Sequence, residues 1–180
     1  MMDRISAVSL LTVVARAGVR KASMDDLAAA TGVSRQALYN RFGSKAALID
    51  WARQSLIDRS LAEALQGLEN PAAALVARLL TALDAWVGQH MVILRASPHG
   101  IEVAAMAAPD PSDSVRAAER KLIAAMANAI RRSGPGAAVA RAGSIAQALC
   151  WTAKGLVHAA PDPASFRREL ELIVGATLAR

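Results

Sequence analysis

The sequence has 180 residues, of which 54% are hydrophobic, 3% aromatic and 20% charged, with a formal net charge of +6. This length allows one or two domains with a sizeable core, and the lone Cys150 excludes an intrachain disulfide and a cysteine-rich zinc site. Residues 1–53 hold eight lysines and arginines against four aspartates, so they carry +4 of the +6. Positive charge concentrated in this way suits a surface that binds phosphate groups.

The first predicted helix covers about residues 4–17 and ends at Gly18. One face of this helix carries the apolar residues Ala7, Leu10, Leu11 and Val14. The uncharged run Ile5–Ala15 also has the length of a signal-peptide core, but Asp3 precedes it and basic residues follow it directly. No uncharged apolar run reaches the ~18 residues of a membrane span. We therefore expect a cytoplasmic protein with no membrane partner.

Two short helices are predicted next, separated by a glycine. Ser23, followed three residues later by an aspartate, has the pattern of a capping box and predicts a helix over 24–31. Gly32 is suited to end that helix, and Ser34 is suited to cap a second one over 35–42. Two short helices joined by a three- or four-residue turn with a glycine are typical of the helix-turn-helix that enters the DNA major groove.

The segment resembles the DNA-binding domain of the TetR family of transcriptional regulators. The resemblance is carried by Ser23, Asp26-Leu27-Ala28, Gly32-Val33-Ser34, Leu38-Tyr39-Asn40-Arg41-Phe42 and Ser44-Lys45-Ala46-Ala47-Leu48. It covers about residues 3–50, and it departs from the family at Val14 and Thr31, where an aromatic residue and an alanine are usual. It implies an all-α protein with a three-helix DNA-binding domain (1–47) and a helical ligand-binding and dimerisation domain (48–180).

The second motif helix is the predicted recognition helix, because it is polar around a single leucine. Its arginine, glutamine and asparagine side chains can read guanine or adenine edges, and its alanine can contact a thymine methyl group. Lys45 begins the following helix, where free N–H groups favour a phosphate, and Tyr39 and Ser23 offer hydroxyl groups to the DNA backbone. The predicted DNA-binding residues are Ser23, Ser34, Arg35, Gln36, Ala37, Tyr39, Asn40 and Lys45.

The rest of the chain is predicted to be helical. A long helix runs from Lys45 to about Gly67, and Asn70-Pro71 has the pattern of a cap followed by a proline at the first helical position. Helices are then predicted over about 113–132 and 137–160, and a last helix follows Pro161-Asp162-Pro163.

A ligand pocket is predicted around residues 71–112, because short helices, apolar side chains and a few polar groups are what a cavity wall needs. The predicted ligand-binding residues are Trp86, His90, Met91, Met106 and Trp151. Methionine and tryptophan at helical spacing are also common as plain core. An architectural DNA-binding protein without a ligand is therefore an alternative.

The helix over 137–160 has only two charged residues, Arg141 and Lys154, so we expect it to be buried on several sides. One side would meet the domain core and another would meet a second subunit, in a four-helix bundle such as much of the family forms. The predicted dimer-interface residues are Leu122, Met126, Ile145, Leu149 and Leu156. Cys150, in the same apolar helix, is expected to be a buried small hydrophobe.

The sequence therefore predicts a DNA-binding transcriptional regulator, most simply a ligand-responsive repressor. It would bind a palindromic DNA operator as a homodimer and respond to an unknown small-molecule effector. An all-helical enzyme is the weaker alternative, because His90, His99 and His158 lack zinc-ligand spacing. The sequence also has no phosphate-binding glycine loop and no serine nucleophile elbow. No metal or cofactor is expected.

Overall fold

The computed structural model describes residues 5–91, 111–133 and 137–179. In the second range the side chains are described from residue 114 onward, and in the third range from residue 138 onward. These residues form α-helices and a short 3-10 turn at Gly88–His90, with no strand among them, and the predicted all-α class is confirmed. The helices are α1 (Ala7–Ala17), α2 (Met24–Thr31), α3 (Arg35–Phe42), α4 (Lys45–Glu69), α5 (Leu75–Trp86), α6 (Pro111–Arg131), α7 (Ala137–Ala140), α8 (Ala142–Ala159) and α9 (Pro163–Leu178).

The described residues belong to two compact units. The first unit contains residues 5–58 and 111–115, and the second contains residues 59–91, 116–133 and 137–179. Helix α4 contributes residues to both units. The predicted domain boundary at 47/48 therefore falls inside one continuous helix.

The first unit is built around a core to which four helices contribute. Each of the four helices contributes one or two fully buried leucines, which are Leu10, Leu11, Leu27, Leu38 and Leu48. Ile49 and Ala52 extend this core along α4. Burying a leucine side chain stabilises a fold by roughly 1.5–3 kcal/mol, so these contacts are sufficient to hold three short helices that would be marginal alone.

Local signals set most helix boundaries in this unit, and α2 and α3 have the predicted bounds. Helix α1 begins at Ala7 because the hydroxyl of Ser6 accepts a hydrogen bond from the Ser9 amide at 3.2 Å.

The predicted helix start at Asn70-Pro71 is wrong. The Asn70 side chain accepts from the Ala72 amide at 3.1 Å in a local turn, and α5 begins only at Leu75.

In the second unit, α9 packs against both α5 and α8. Phe166 of α9 is fully buried, and a Cβ atom at Gly88 would lie 2.6 Å from its ring, so glycine is needed for this approach. Asp162 caps α9 by accepting from the Ser165 amide at 2.8 Å. The hydrogen bonds from Ser165 lower the pKa of the Asp162 carboxyl.

Helix α8 differs from the predicted helix over 137–160. It begins at Ala142, after the short α7, and within this single chain it is buried on one side. The buried side carries Ala142, Ile145, Ala146, Leu149, Cys150, Ala153 and Val157. The opposite side is exposed and carries Gly143, Ser144, Gln147, Ala148, Trp151, Lys154, Gly155 and His158. Among the described residues no helix is both long and apolar enough to cross a membrane.

Candidate nucleic-acid interface

The start of α2 is held by a complete capping box. The Ser23 hydroxyl accepts from the Asp26 amide at 3.1 Å, and the Asp26 carboxylate accepts from the Ser23 amide at 2.9 Å and from its hydroxyl at 2.6 Å. These bonds from Ser23 lower the pKa of the Asp26 carboxyl. Each partner satisfies an amide that the first turn leaves without an acceptor. The Ser23 hydroxyl already donates to Asp26, so the predicted hydrogen bond from this hydroxyl to a phosphate would have to compete with that bond.

The turn between α2 and α3 depends on Gly32, which has a φ of +67° in the left-handed region. Glycine adopts this conformation without the steric cost that a Cβ atom adds. Ser34 then caps α3, since its hydroxyl accepts from the Ala37 amide at 3.1 Å. The Ser34 side chain therefore orients α3. Its predicted place in a DNA contact stays a prediction.

Helix α3 is anchored mainly through Leu38, and Phe42 at its end is partly buried against the same core. Of its eight residues, all of them described, only Leu38 is buried, at 0% exposure. The remaining polar residues and Ala37 are exposed, and Tyr39 is 37% exposed. A helix with few buried residues and its polar side chains in solvent is suited to present those side chains to a partner. The predicted base-reading residues Arg35, Gln36, Ala37 and Asn40 are all exposed on this helix.

Two side-chain pairs organise the exposed surface of α3. The Arg35 guanidinium donates to the Asp25 carboxylate at 3.0 Å and lies 5.5 Å from the centre of the Tyr39 ring. Hydrogen bonding with Tyr39 and the charge of Asp25 raise the pKa of Arg35. One turn further on, the Gln36 amide donates to the Asn40 side-chain oxygen at 2.8 Å. Four of the predicted DNA-binding residues are thus coupled in two pairs, Arg35 with Tyr39 and Gln36 with Asn40.

Lys45 makes three contacts within the chain, and its predicted phosphate contact stays a prediction. Its ammonium group donates to the backbone carbonyls of Val19 at 2.9 Å, Ala22 at 3.0 Å and Arg20 at 3.4 Å. An ammonium group has three donors, and here all three are occupied. Lys45 therefore fixes the turn after α1, and contact with a phosphate would require it to leave those carbonyls. The amides at the start of α4 remain suited to a phosphate.

Two residues of this surface were missed by the sequence analysis. Asp25 holds Arg35 from the preceding helix, and Arg41 lies 5.0 Å from the Phe42 ring centre and 5.4 Å from that of Trp51. The Asp25–Arg35 pair joins positions ten residues apart on different helices. No helical periodicity links such positions, so this pair could not be predicted from the sequence.

The predicted ligand-binding residues do not form one group. Trp86 and Met91 are buried at 8% and 2% exposure, and His90 lies between them in sequence, with its Nε2 atom 2.6 Å from the Ser60 hydroxyl. Burial lowers the pKa of His90. Trp151 lies elsewhere, on the exposed side of α8 at 58% exposure, and Met106 is outside the described residues. A shared pocket stays a prediction.

The predicted dimer residues lie within their own unit. Leu122 and Met126 are 0% exposed, Leu149 is 1% and Ile145 is 6%, and Leu156 is half-buried. A side chain that is fully buried within its own chain has no accessible surface for contact with a second chain. The dimer contact of these residues stays a prediction, and the exposed side of α8 is the part of this helix with surface available to a second chain.

The described residues offer little support for a metal site or for a reactive cysteine of the kind that an enzyme uses. No group of three or more histidine, cysteine, aspartate or glutamate side chains among them could hold a metal ion. Burial raises the pKa of the Cys150 thiol to about 12, with the charge of Glu119 adding to the effect. A thiol with such a pKa is a poor nucleophile because the thiolate is the reactive form.

Comparison with known proteins agrees with this geometry. Residues 10–51 match the bacterial regulatory proteins of the tetR family. No curated protein matches the chain by sequence. The fold is similar to that of a transcriptional regulator from Rhodococcus sp. Rha1, with a TM-score of 0.72 and 21% identity, covering 96% of this chain and 94% of that one.

Two further solved structures share the fold. The fatty acid degradation regulator FadR from Bacillus halodurans has a TM-score of 0.68 and 14% identity, covering 97% of this chain and 98% of that one. The TetR family repressor AlkX from Dietzia sp., implicated in biodegradation of n-alkanes, has a TM-score of 0.52 and 14% identity, with 96% of each chain covered.

Proposed function

We propose that this chain, whose residues 10–51 match the tetR family of bacterial regulatory proteins, is a ligand-responsive repressor that binds a palindromic operator as a homodimer. The family establishes a DNA-binding transcriptional regulator. The repressor role, the effector, the operator and the dimer are the proposed parts.

The observation that carries the proposal is the surface of α3. A helix with one buried residue, Leu38, presents Arg35, Gln36, Tyr39 and Asn40 to solvent. Arginine suits guanine, and glutamine and asparagine suit adenine, in the major groove. The Ser34 cap and the turn at Gly32 hold α3 in one orientation. Less conformational entropy is then lost when the helix binds DNA.

A second copy of the chain is the proposed partner for the exposed sides of α8 and α9. Each of these packed helices carries a large exposed apolar side chain, Trp151 at 58% and Leu172 at 67% exposure. A Cβ atom at Gly155 or Gly175 would meet nothing within 4 Å, so both glycines leave room for another surface. A twofold dimer uses the same patch on both subunits and places two recognition helices roughly 34–36 Å apart.

The proposed effector site lies in the second unit, near the Ser60–His90 pair. A part-buried polar pair next in sequence to buried apolar side chains is the mixture that small-molecule sites use. An effector that binds better to a conformation incompatible with DNA would shift the population away from the operator. Helix α4 carries Ser60 and also begins at Lys45, so it links the effector region to the DNA-binding core in one element.

The test is selection from a pool of random duplexes with the purified protein. We expect enrichment of an inverted repeat with half-sites one helical turn apart, about 10 base pairs. The complex is then titrated with fatty acids and n-alkanes, the compound classes named for FadR and AlkX. Release of the duplex by one compound supports the effector, whereas enrichment of a single asymmetric half-site contradicts the homodimer.

A further inference from the structure

The Gln36 and Asn40 side chains form a joined pair on the exposed face of α3. The Gln36 Nε2 atom donates to the Asn40 Oδ1 atom at 2.8 Å, and both residues are exposed. Each is two positions from the buried Leu38, about 200° around the helix axis. The pair therefore lies on the side of α3 opposite its anchor.

The hydrogen bond leaves the two amides with a defined set of free groups. Two primary amides hold four N–H donors and two oxygens. Their shared bond uses one N–H group and one lone pair of the Asn40 oxygen, so the Gln36 oxygen, the second lone pair of the Asn40 oxygen and three N–H groups remain. Any base edge that satisfies this pair has to offer both an acceptor and a donor.

Adenine meets this requirement in the major groove. It presents N7 as an acceptor and the N6 amino group as a donor, whereas guanine presents two acceptors, N7 and O6. Opposite guanine, the remaining amide oxygen would face another acceptor in a desolvated groove, which costs free energy. Cytosine presents a donor alone and would leave the N–H groups unpaired.

We propose that Gln36 and Asn40 act as one unit that reads an adenine in each half of the operator. The proposal rests on the proposed function, since it requires α3 in the major groove. The bond between the amides fixes their orientation before DNA is bound, so neither side chain reads the base alone. Removing either one then costs nearly as much as removing both.

The experiment compares selection from the random duplex pool by the wild-type protein, Gln36→Leu, Asn40→Leu and the double variant. Gln54→Leu is the matched control, because Gln54 donates to Asp58 at 2.9 Å across one turn of α4. Both target residues are exposed, so the variants should fold, which circular dichroism checks.

We expect the wild-type protein to select adenine at one position of each half-site. Gln36→Leu and Asn40→Leu should lose selectivity at that same position and keep it elsewhere, while Gln54→Leu keeps it throughout. Replacing that adenine with 7-deazaadenine, which lacks the N7 acceptor, should weaken wild-type binding by about ten- to a hundredfold. The double variant should bind no more than about threefold more weakly than either single variant.

Selection of guanine at the position where both variants lose selectivity would overturn the inference while leaving the proposed function intact. The inference would also fail if the two variants lost selectivity at two different positions, or if neither lost selectivity at any position. If the wild-type protein enriches no sequence at all, the proposed function itself fails, and the adenine reading fails with it.

Discussion

The guanidinium of Arg35, the first residue of the recognition helix, lies 3.0 Å from the carboxylate of Asp25 in the preceding helix. Both side chains are more than half exposed, at 55% and 68%. An exposed ion pair of this kind contributes little to stability. We expect its consequence to be for DNA binding, because it holds a side chain predicted to read bases in a defined place before DNA is bound.

We predict that Arg35→Ala weakens binding to the selected operator by ~1–3 kcal/mol, since one arginine contact to a guanine is lost. Binding to unrelated duplexes should change much less. Arg41→Ala is the control, because it removes the same charge from the same helix, where Arg41 lies over Phe42 and Trp51. Fluorescence anisotropy with both duplexes measures the effect, and equal losses for the two variants would argue against base reading by Arg35.

Lys45→Met should destabilise the first unit by about 1.5–3 kcal/mol, because three carbonyl groups lose a charged donor. Lys21→Met serves as the control, since Lys21 is exposed. Urea unfolding measures stability, and the salt dependence of DNA binding measures phosphate contacts. A salt slope reduced by about one with unchanged stability would instead show that Lys45 binds a phosphate.

The dimer face is tested by three charge insertions. Trp151→Arg and Leu172→Arg should give folded monomers, because both side chains are exposed in a single chain. Leu149→Arg should unfold the protein, because Leu149 is 1% exposed and a charge there would be buried without a partner. Sedimentation velocity gives the mass and circular dichroism the helix content. A stable dimer of Trp151→Arg with full DNA affinity would place the interface elsewhere.

His90 should make the protein less stable in mild acid. Burial lowers its pKa below the usual value near 6.5, and Arg59 acts in the same direction, while Glu63 and Asp84 oppose them. The unfolded chain then binds the extra proton more readily than the folded one. Stability is therefore full above about pH 6.5 and is lost as the pH falls toward the folded-state pKa.

The measurement is the midpoint of urea unfolding at pH 8 and at pH 5. The wild-type protein should lose more stability between these values than His90→Gln, which keeps a polar group near Ser60 but does not titrate. His158→Gln should behave as wild type, because His158 is exposed. Identical pH dependence in wild type and His90→Gln would show that the His90 site is not desolvated.

The sequence predicted those features whose cause is local. Ser23 and Ser34 cap helices through bonds to amides three residues away, and Gly32 ends α2 through its own backbone conformation. Such signals are contained in four or five consecutive residues. The recognition helix and its exposed residues followed directly from them.

What the sequence could not predict depends on partners distant along the chain. The carbonyls that hold Lys45 lie 23 to 26 residues before it, and a lysine at a helix start looks the same with or without them. In α8 the difficulty is different. A helix with almost no charged residues has no polar stripe to mark its outer side, so its apolar residues gave no means of separating Leu149 from Trp151.

We predict that α3 of each subunit enters the major groove of the operator. Methylation interference on the selected duplex tests it directly, because dimethyl sulfate modifies guanine N7 in the major groove and adenine N3 in the minor groove. We predict that binding is blocked by methyl groups at guanine N7 in two clusters about 10 base pairs apart. Interference confined to adenine N3, or none at all, would contradict the account.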